Sequence, residues 1–184
     1  MARVALSGQD LSIEFVWSWY EDQKEALFDF RSKVFSAISL SSILPNEKFI
    51  GMTTDELNAY FEESENELEH LVCFDLISAT ESLLRSDFYA RVYNKDKSGL
   101  GRTFREIEKG FGNKISLEEH IINSWKEIVV ARKSDFSDFL ALLRYRHWLA
   151  HGRYWIPKLG REHYSPSVTY NIVERVFNIV DDGQ

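Results

Sequence analysis

Residues 139–155 read FLALLRYRHWLAHGRYW, and how this stretch folds decides what the rest of the chain must do. Phe136, Phe139, Leu143 and His147 recur at three- and four-residue intervals, the spacing of one helical face, and Ala150 or His151 continues the row. Gly152 follows as a natural C-cap, because a residue without a Cβ enters the left-handed conformation that closes a helix. Ser134 or Asp135 is the expected N-cap, a short oxygen-bearing side chain able to accept from the first free N–H groups. A helix so bounded carries Arg146, His147 and His151 in its last turns.

Outward from this helix, the same signals recur. Pro157 and Gly160 mark a connection, and Ser165-Pro166 sets a capping serine before a proline at the first helical position. Val168, Ile172, Val176 and Ile179/Val180 then form the apolar row of a last helix. Upstream, Ser116 with Glu119 is a capping box opening a helix with Leu117, Ile121, Trp125 and Val129 on one face. His120, beside Ile121, reads as a surface or satisfied histidine. Residues 94–101 are a basic turn before a short helix from about Arg102 to Lys109, which Gly110, Gly112 and Asn113 stop. These glycines are no phosphate loop, since the third glycine and a preceding strand are missing.

Thr53 with Glu56 is another capping box, and apolar residues from Leu57 to Phe88 keep helical spacing, so one helix or two nearly continuous ones run to about Val92. Residues 40–52, with Pro45, Asn46 and Gly51, read as a loop. Residues 11–39 begin with the alternation Ile13, Phe15, Trp17, Trp19, a strand period, but the apolar pattern outlasts any strand and enters a run of helix formers. A helix is expected, with Phe15, Trp19 and Phe28 off its stripe as second-side core or as a partner face. The sum is an all-α bundle of five or six helices in a single domain spanning 1–184, with residues 1–50 as an N-terminal extension packed on it.

A hydrophobic content of 44% supports a substantial core, and three prolines with nine glycines disfavour a loop-rich sandwich. The single cysteine, Cys73, sits among Leu71, Val72, Phe74 and Leu76 and reads as a buried thiol in a reducing compartment. With no signal peptide and no apolar run near the roughly 18 residues that span a bilayer, a cytoplasmic protein without a membrane partner is expected. The net charge of −7 is unevenly spread. Residues 54–82 hold nine carboxylates and no lysine or arginine, whereas residues 139–163 hold Arg144, Arg146, Arg153, Lys158 and Arg161 against Glu162. The end bearing the histidines is basic, as a phosphate-binding surface must be.

One chemistry uses such groups and no cofactor: cleavage of RNA by its own 2′-hydroxyl. A base removes the hydroxyl proton, a cation steadies the charge on the phosphate oxygens, and an acid protonates the leaving 5′-oxygen. Histidine can be base or acid near neutral pH, and arginine grips phosphate in bidentate fashion. Arg146 and His151 are the candidate pair. At about 100° per residue they lie roughly 140° apart around the helix, while His147 and His151 share a face. One helix therefore gives half a cradle, and a homodimer would bring two sets to one cleft.

Other residues are candidates for support. Glu81, a carboxylate among Ala79, Leu83 and Leu84, either points outward or orients a residue of the motif. Arg144, Arg153 and Lys158 are candidate RNA-backbone contacts, while Tyr145, Trp148, Tyr154 and Trp155 either stack unpaired bases or serve as core or dimer contacts. His147 and His151 also have the spacing of a zinc pair, but Trp148 stands where the metalloprotease glutamate would, and His163 is the only further histidine near enough to consider.

Arg146-His147-x-x-x-His151-Gly152, near the C-terminal end of a small helical bundle, resembles the signature of the HEPN superfamily: Arg, a polar residue, three more residues, then His. The branch found beside bacterial toxin and phage-defence genes is the most similar. The motif covers seven residues and the helical pattern extends the likeness over residues 54–182. The resemblance implies a metal-independent endoribonuclease acting as a homodimer on RNA, often restrained by a cognate antitoxin protein. Arg146 would then bind the phosphate, His151 would be the catalytic acid or base, and His147 the polar positioning residue. Catalytically silent members of the superfamily serve as dimerisation or protein-interaction modules, which is the alternative function. Those mostly lose the Arg or His, and both are present here.

Overall fold

The structure is a computed structural model that describes residues 11–157 and 164–183. These residues form an all-α architecture of six α-helices, without a strand among them. The chain divides into two compact units, Glu14–Val72 and a second built from Cys73 onward. Helix α2, Thr54–Tyr93, is one continuous helix whose first half belongs to the former and whose second half belongs to the latter.

In the first unit α1, Ile13–Ser39, and the start of α2 run antiparallel. Tyr20 donates to Glu69 at 3.3 Å, Lys24 pairs with Glu65 at 3.4 Å, and Arg31 donates to Asn58 at 2.9 Å, so rising positions on one helix meet falling ones on the other. Their shared core is Val34, Phe49, Leu57 and Phe61, with Phe30 and Tyr60 packed on it. Phe49 comes from the segment read as a loop. Asn46 caps a short 3₁₀ turn, Glu47–Phe49, by accepting from the Lys48 N–H at 3.0 Å, and that turn drives the ring inward.

The Thr53/Glu56 capping box forms as expected. The Thr53 N–H donates to Glu56 Oε2 at 2.7 Å and the Glu56 N–H to Thr53 Oγ1 at 3.3 Å, so each residue satisfies a backbone donor of the other. The same backbone bond is the leading cause that holds the Glu56 carboxyl below its ordinary value.

The second unit packs the end of α2 with α3 (Gly99–Phe111), α4 (Asn123–Ile128), α5 (Lys133–Ala150) and α6 (Pro166–Asp182). Phe88 meets Phe104 at 4.7 Å and Trp125 stacks on Phe136 at 5.9 Å. Buried Arg91 binds Asp87 with Nε at 2.8 and 2.9 Å, Asp96 at 3.0 Å and the Gly183 carbonyl at 2.8 Å, tying the end of α2 to the end of α6.

Helix α3 begins three residues before the expected start. Ser98 caps it by accepting from the Gly101 N–H at 3.0 Å, and Gly101 must be glycine because a Cβ there would stand 2.6 Å from Asp96. Cys73 is fully buried, as expected, and accepts from Thr169 Oγ1 at 3.4 Å. Leu71, placed among its buried neighbours, is 50% exposed.

Two cap expectations need correction. Helix α5 starts at Lys133 from a 3₁₀ turn, Val130–Arg132, with no side-chain cap. Asp135 instead accepts from Arg132 at 3.1 Å and from Arg175 at 2.9 Å, a stronger charge-assisted use of the carboxylate than an N-cap. At Ser116 the forward half of the capping box forms, with the Glu119 N–H donating at 3.2 Å, but the Ser116 N–H donates to His120 Nδ1 at 2.8 Å rather than to Glu119. The backbone here is a π-helical turn, Leu117–Ile122, and its wider winding brings residue 120 to the place where Glu119 would reach back. His120 is thus a satisfied histidine.

Candidate functional site

Helix α5 ends as its sequence dictates. The His151 N–H donates to the His147 carbonyl at 3.2 Å, Gly152 has φ +77°, and the Arg153 N–H reaches the Trp148 carbonyl at 3.2 Å, the six-to-one bond of a Schellman closure. The chain then turns back along the helix. The Trp148 indole N–H donates to the Trp155 carbonyl at 2.7 Å. This brings the Trp155 ring 5.8 Å from that of His147, whose neighbour one turn on, His151, has its ring 4.2 Å away.

Arg146 points to the other side, toward α2. Its guanidinium carbon stands 5.3 Å over the Phe74 ring, and Nε lies 3.8 Å from Glu81 Oε2. That separation is an ion pair but too long for a hydrogen bond. Nε is buried with no hydrogen-bond partner among the described residues. The other Glu81 oxygen accepts from Arg85 at 3.4 Å, so one carboxylate serves two guanidinium groups. Glu81 is partly buried and faces Arg146 instead of pointing into solvent.

These side chains surround a cleft of about 760 Å³ lined by Glu81, Arg85, Arg144, Arg146, His147 and Trp155 among others. Four residues singled out from sequence, Glu81, Arg144, Arg146 and His147, therefore share one cavity. His151 is exposed and joins the group through its ring contact with His147. Arg153 is partly buried on the left-handed turn at φ +57°, and Tyr154 is 84% exposed, edge-on to Trp155 at 4.6 Å. Lys158, Arg161 and His163 lie outside the described residues.

Tyr145 has the core role among its two readings, being 6% exposed and packed on Trp148 and Tyr164 at 5.8 and 5.4 Å. Arg85 was not singled out. Its signal was available, since it lies one helical turn beyond Glu81, where an acid and a base on one helix pair. Three guanidinium groups against Glu81 and Glu118 give the cleft a positive excess suited to an oxyanion.

Among the described residues no three His, Cys, Asp or Glu side chains converge to hold a metal ion, and no helix is long and apolar enough to cross a membrane. Comparisons with protein-family models, curated proteins and solved structures give no match for this chain, so the chemistry of the cleft is argued from its own side chains.

Proposed function

We propose that this chain is a metal-independent endoribonuclease of the HEPN type, acting as a cytoplasmic homodimer. The observation that carries the reading is the gathering of a guanidinium and an imidazole pair at one cleft: Arg146 and His147 line it, and His151 lies ring to ring with His147. In the reaction one imidazole takes the proton of the 2′-hydroxyl and the oxygen attacks phosphorus. The P–O5′ bond breaks, and a protonated imidazole returns a proton to the departing oxygen. The products are a 2′,3′-cyclic phosphate and a 5′-hydroxyl, and no outside reagent is consumed.

Arg146 donates to the non-bridging oxygens as their charge grows, which is the largest single contribution such a site can make. Glu81, at 3.8 Å, orients the guanidinium without saturating Nε. A second copy across a twofold axis supplies the imidazole that one helix cannot set opposite its own arginine. An antitoxin protein covering this cleft is the matching restraint.

The Glu81–Arg146 pair also favours a second reading, a silent HEPN-like module for dimerisation or protein binding in which the arginine is a structural ion. Incubation of the purified protein with RNA in EDTA separates the two. The ribonuclease reading expects cleavage in chelator that disappears in Arg146→Ala and His151→Ala. Cleavage that survives both substitutions would sink it, and cleavage lost in EDTA would move the site to metal chemistry. The module reading expects no cleavage under any condition and a stable complex with another protein.

A further inference from the structure

The proton transfers and phosphate contacts of the ribonuclease reading use none of the aromatic side chains beside the histidines, for which the sequence left base stacking and structural packing both open. A backbone segment leaving a helix has no intrinsic reason to fold back on it, yet here the Trp148 N–H holds the Trp155 carbonyl at 2.7 Å. The donor is itself anchored, since its ring stacks on buried Tyr145 at 5.8 Å with only 19° between the planes. The carbonyl so held belongs to the residue whose ring stands 5.8 Å from His147 and lines the cleft with Arg144 and Arg146.

We infer that Trp155 is the platform on which a nucleotide base stacks beside the reacting phosphate, and that Trp148 is the residue that positions it; this rests on the ribonuclease reading of the same cleft. The group recognised is an unpaired nucleobase. An indole face accepts any base, because every base has a π-surface, while the arginines hold the phosphates on either side. A base inside a duplex is already stacked on its neighbours and cannot reach the platform without unpairing.

The test measures binding rather than cleavage, so that it does not depend on the catalytic groups. Fluorescence anisotropy of the full chain is read with a labelled 2′-O-methyl RNA strand of mixed sequence and with the same sugar–phosphate strand carrying no bases. The base-bearing strand is expected to bind about 5- to 150-fold more tightly, the range that one stacked base gives. Trp155→Leu should remove most of that ratio and leave the affinity for the abasic strand unchanged, while Trp155→Tyr retains most of it. Trp148→Phe keeps an aromatic ring at this position but removes the indole N–H together with its five-membered ring, and it should reduce the ratio in the same direction.

A ratio unchanged in Trp155→Leu overturns the platform, as does a parallel loss of both strands that Trp155→Tyr does not rescue, which would mark a purely structural ring. Wild-type protein that binds both strands equally overturns the platform alone. Wild-type protein that binds neither strand overturns the ribonuclease reading beneath it.

Discussion

The unit Glu14–Val72 carries thirteen of the chain's 29 carboxylates and four of its 22 lysines and arginines, whereas outside it the cations outnumber the carboxylates by two. The two units also treat their polar groups differently. In the first, the core is aromatic and aliphatic, and side chains such as Thr53, Glu56 and Asn46 satisfy backbone donors within three residues. In the second, Arg91 is buried and tied to two carboxylates and a carbonyl, while 55 positions later Arg146 faces a carboxylate it does not reach for a hydrogen bond. A saturated arginine holds a fold together. An arginine that lines a cleft with its side chain 34% exposed and only an ion pair to its carboxylate presents charge to a ligand, and among the described residues the second unit holds an arginine of each kind.

The sharpest break of this contrast is catalytic. Arg146→Ala and His151→Ala should each lower RNA cleavage by roughly 10²–10⁴-fold, the span attributed to a positioned acid, base or charge, with the melting curve unmoved. If the melting temperature falls in step with the rate, Arg146 belongs with Arg91 as a structural group.

Next in size is the opposite experiment. Arg91→Ala strands Asp87 in the interior, removes a partner of Asp96 and the tie to the Gly183 carbonyl, and should destabilise the second unit by roughly 3–5 kcal/mol in denaturant unfolding. Phe61→Ala should remove about 3–5 kcal/mol from the first unit by opening its core. Unfolding followed by probes in each unit would then show whether either loss stays local.

A smaller effect is expected at the cap. Thr53→Ala deletes the acceptor of the Glu56 N–H and should weaken the first unit by roughly 0.5–2 kcal/mol, leaving RNA cleavage intact. Loss of cleavage in this variant would mean that the two regions are functionally coupled.

The smallest expected effect is a response to acid. The Ser98 hydroxyl and N–H, with Arg91 behind them, hold the Asp96 carboxyl at about 2 against an ordinary 3.8. A depressed value means stability that is present above the unfolded value and is lost as the pH falls from about 4 toward 2. Screening at this partly exposed group keeps the loss to about 1 kcal/mol. Asp96→Asn should flatten that part of the stability–pH curve, and an unchanged acid limb would show that another carboxylate carries it.

Much of the fold was legible because its signals are local. Periodicity from Leu57 onward announced α2, the Thr-x-x-Glu box marked its first residue, and Gly152 and Ser165-Pro166 bounded the helices around the site. The misread caps failed for one reason. Asp135 had a distant competitor in Arg175, and Ser116 had a π-helical turn that substituted His120 for Glu119. Neither partner is visible in a window of four residues.

The candidate site divides in the same way. Arg146, His147 and His151 were evident from spacing at the end of an apolar helix, and Glu81 from the oddity of a carboxylate in an apolar row. Arg85, the core role of Tyr145 and the folding back of Trp155 were not evident.

Local sequence patterns were enough to mark an all-helical chain, where most of its helices begin and end, and which side chains are candidates for acid–base and phosphate chemistry. Those properties follow from backbone hydrogen bonding and side-chain periodicity over a few residues. It took the folded chain to show that Glu81 pairs with both Arg85 and Arg146, that Phe49 closes a core, and that Trp155 lies beside His147. Glu81 and Arg146 are 65 positions apart, whereas Trp155 folds back only eight positions onto its own helix; in both the partner is chosen by shape, burial and charge beyond the reach of a single helical turn.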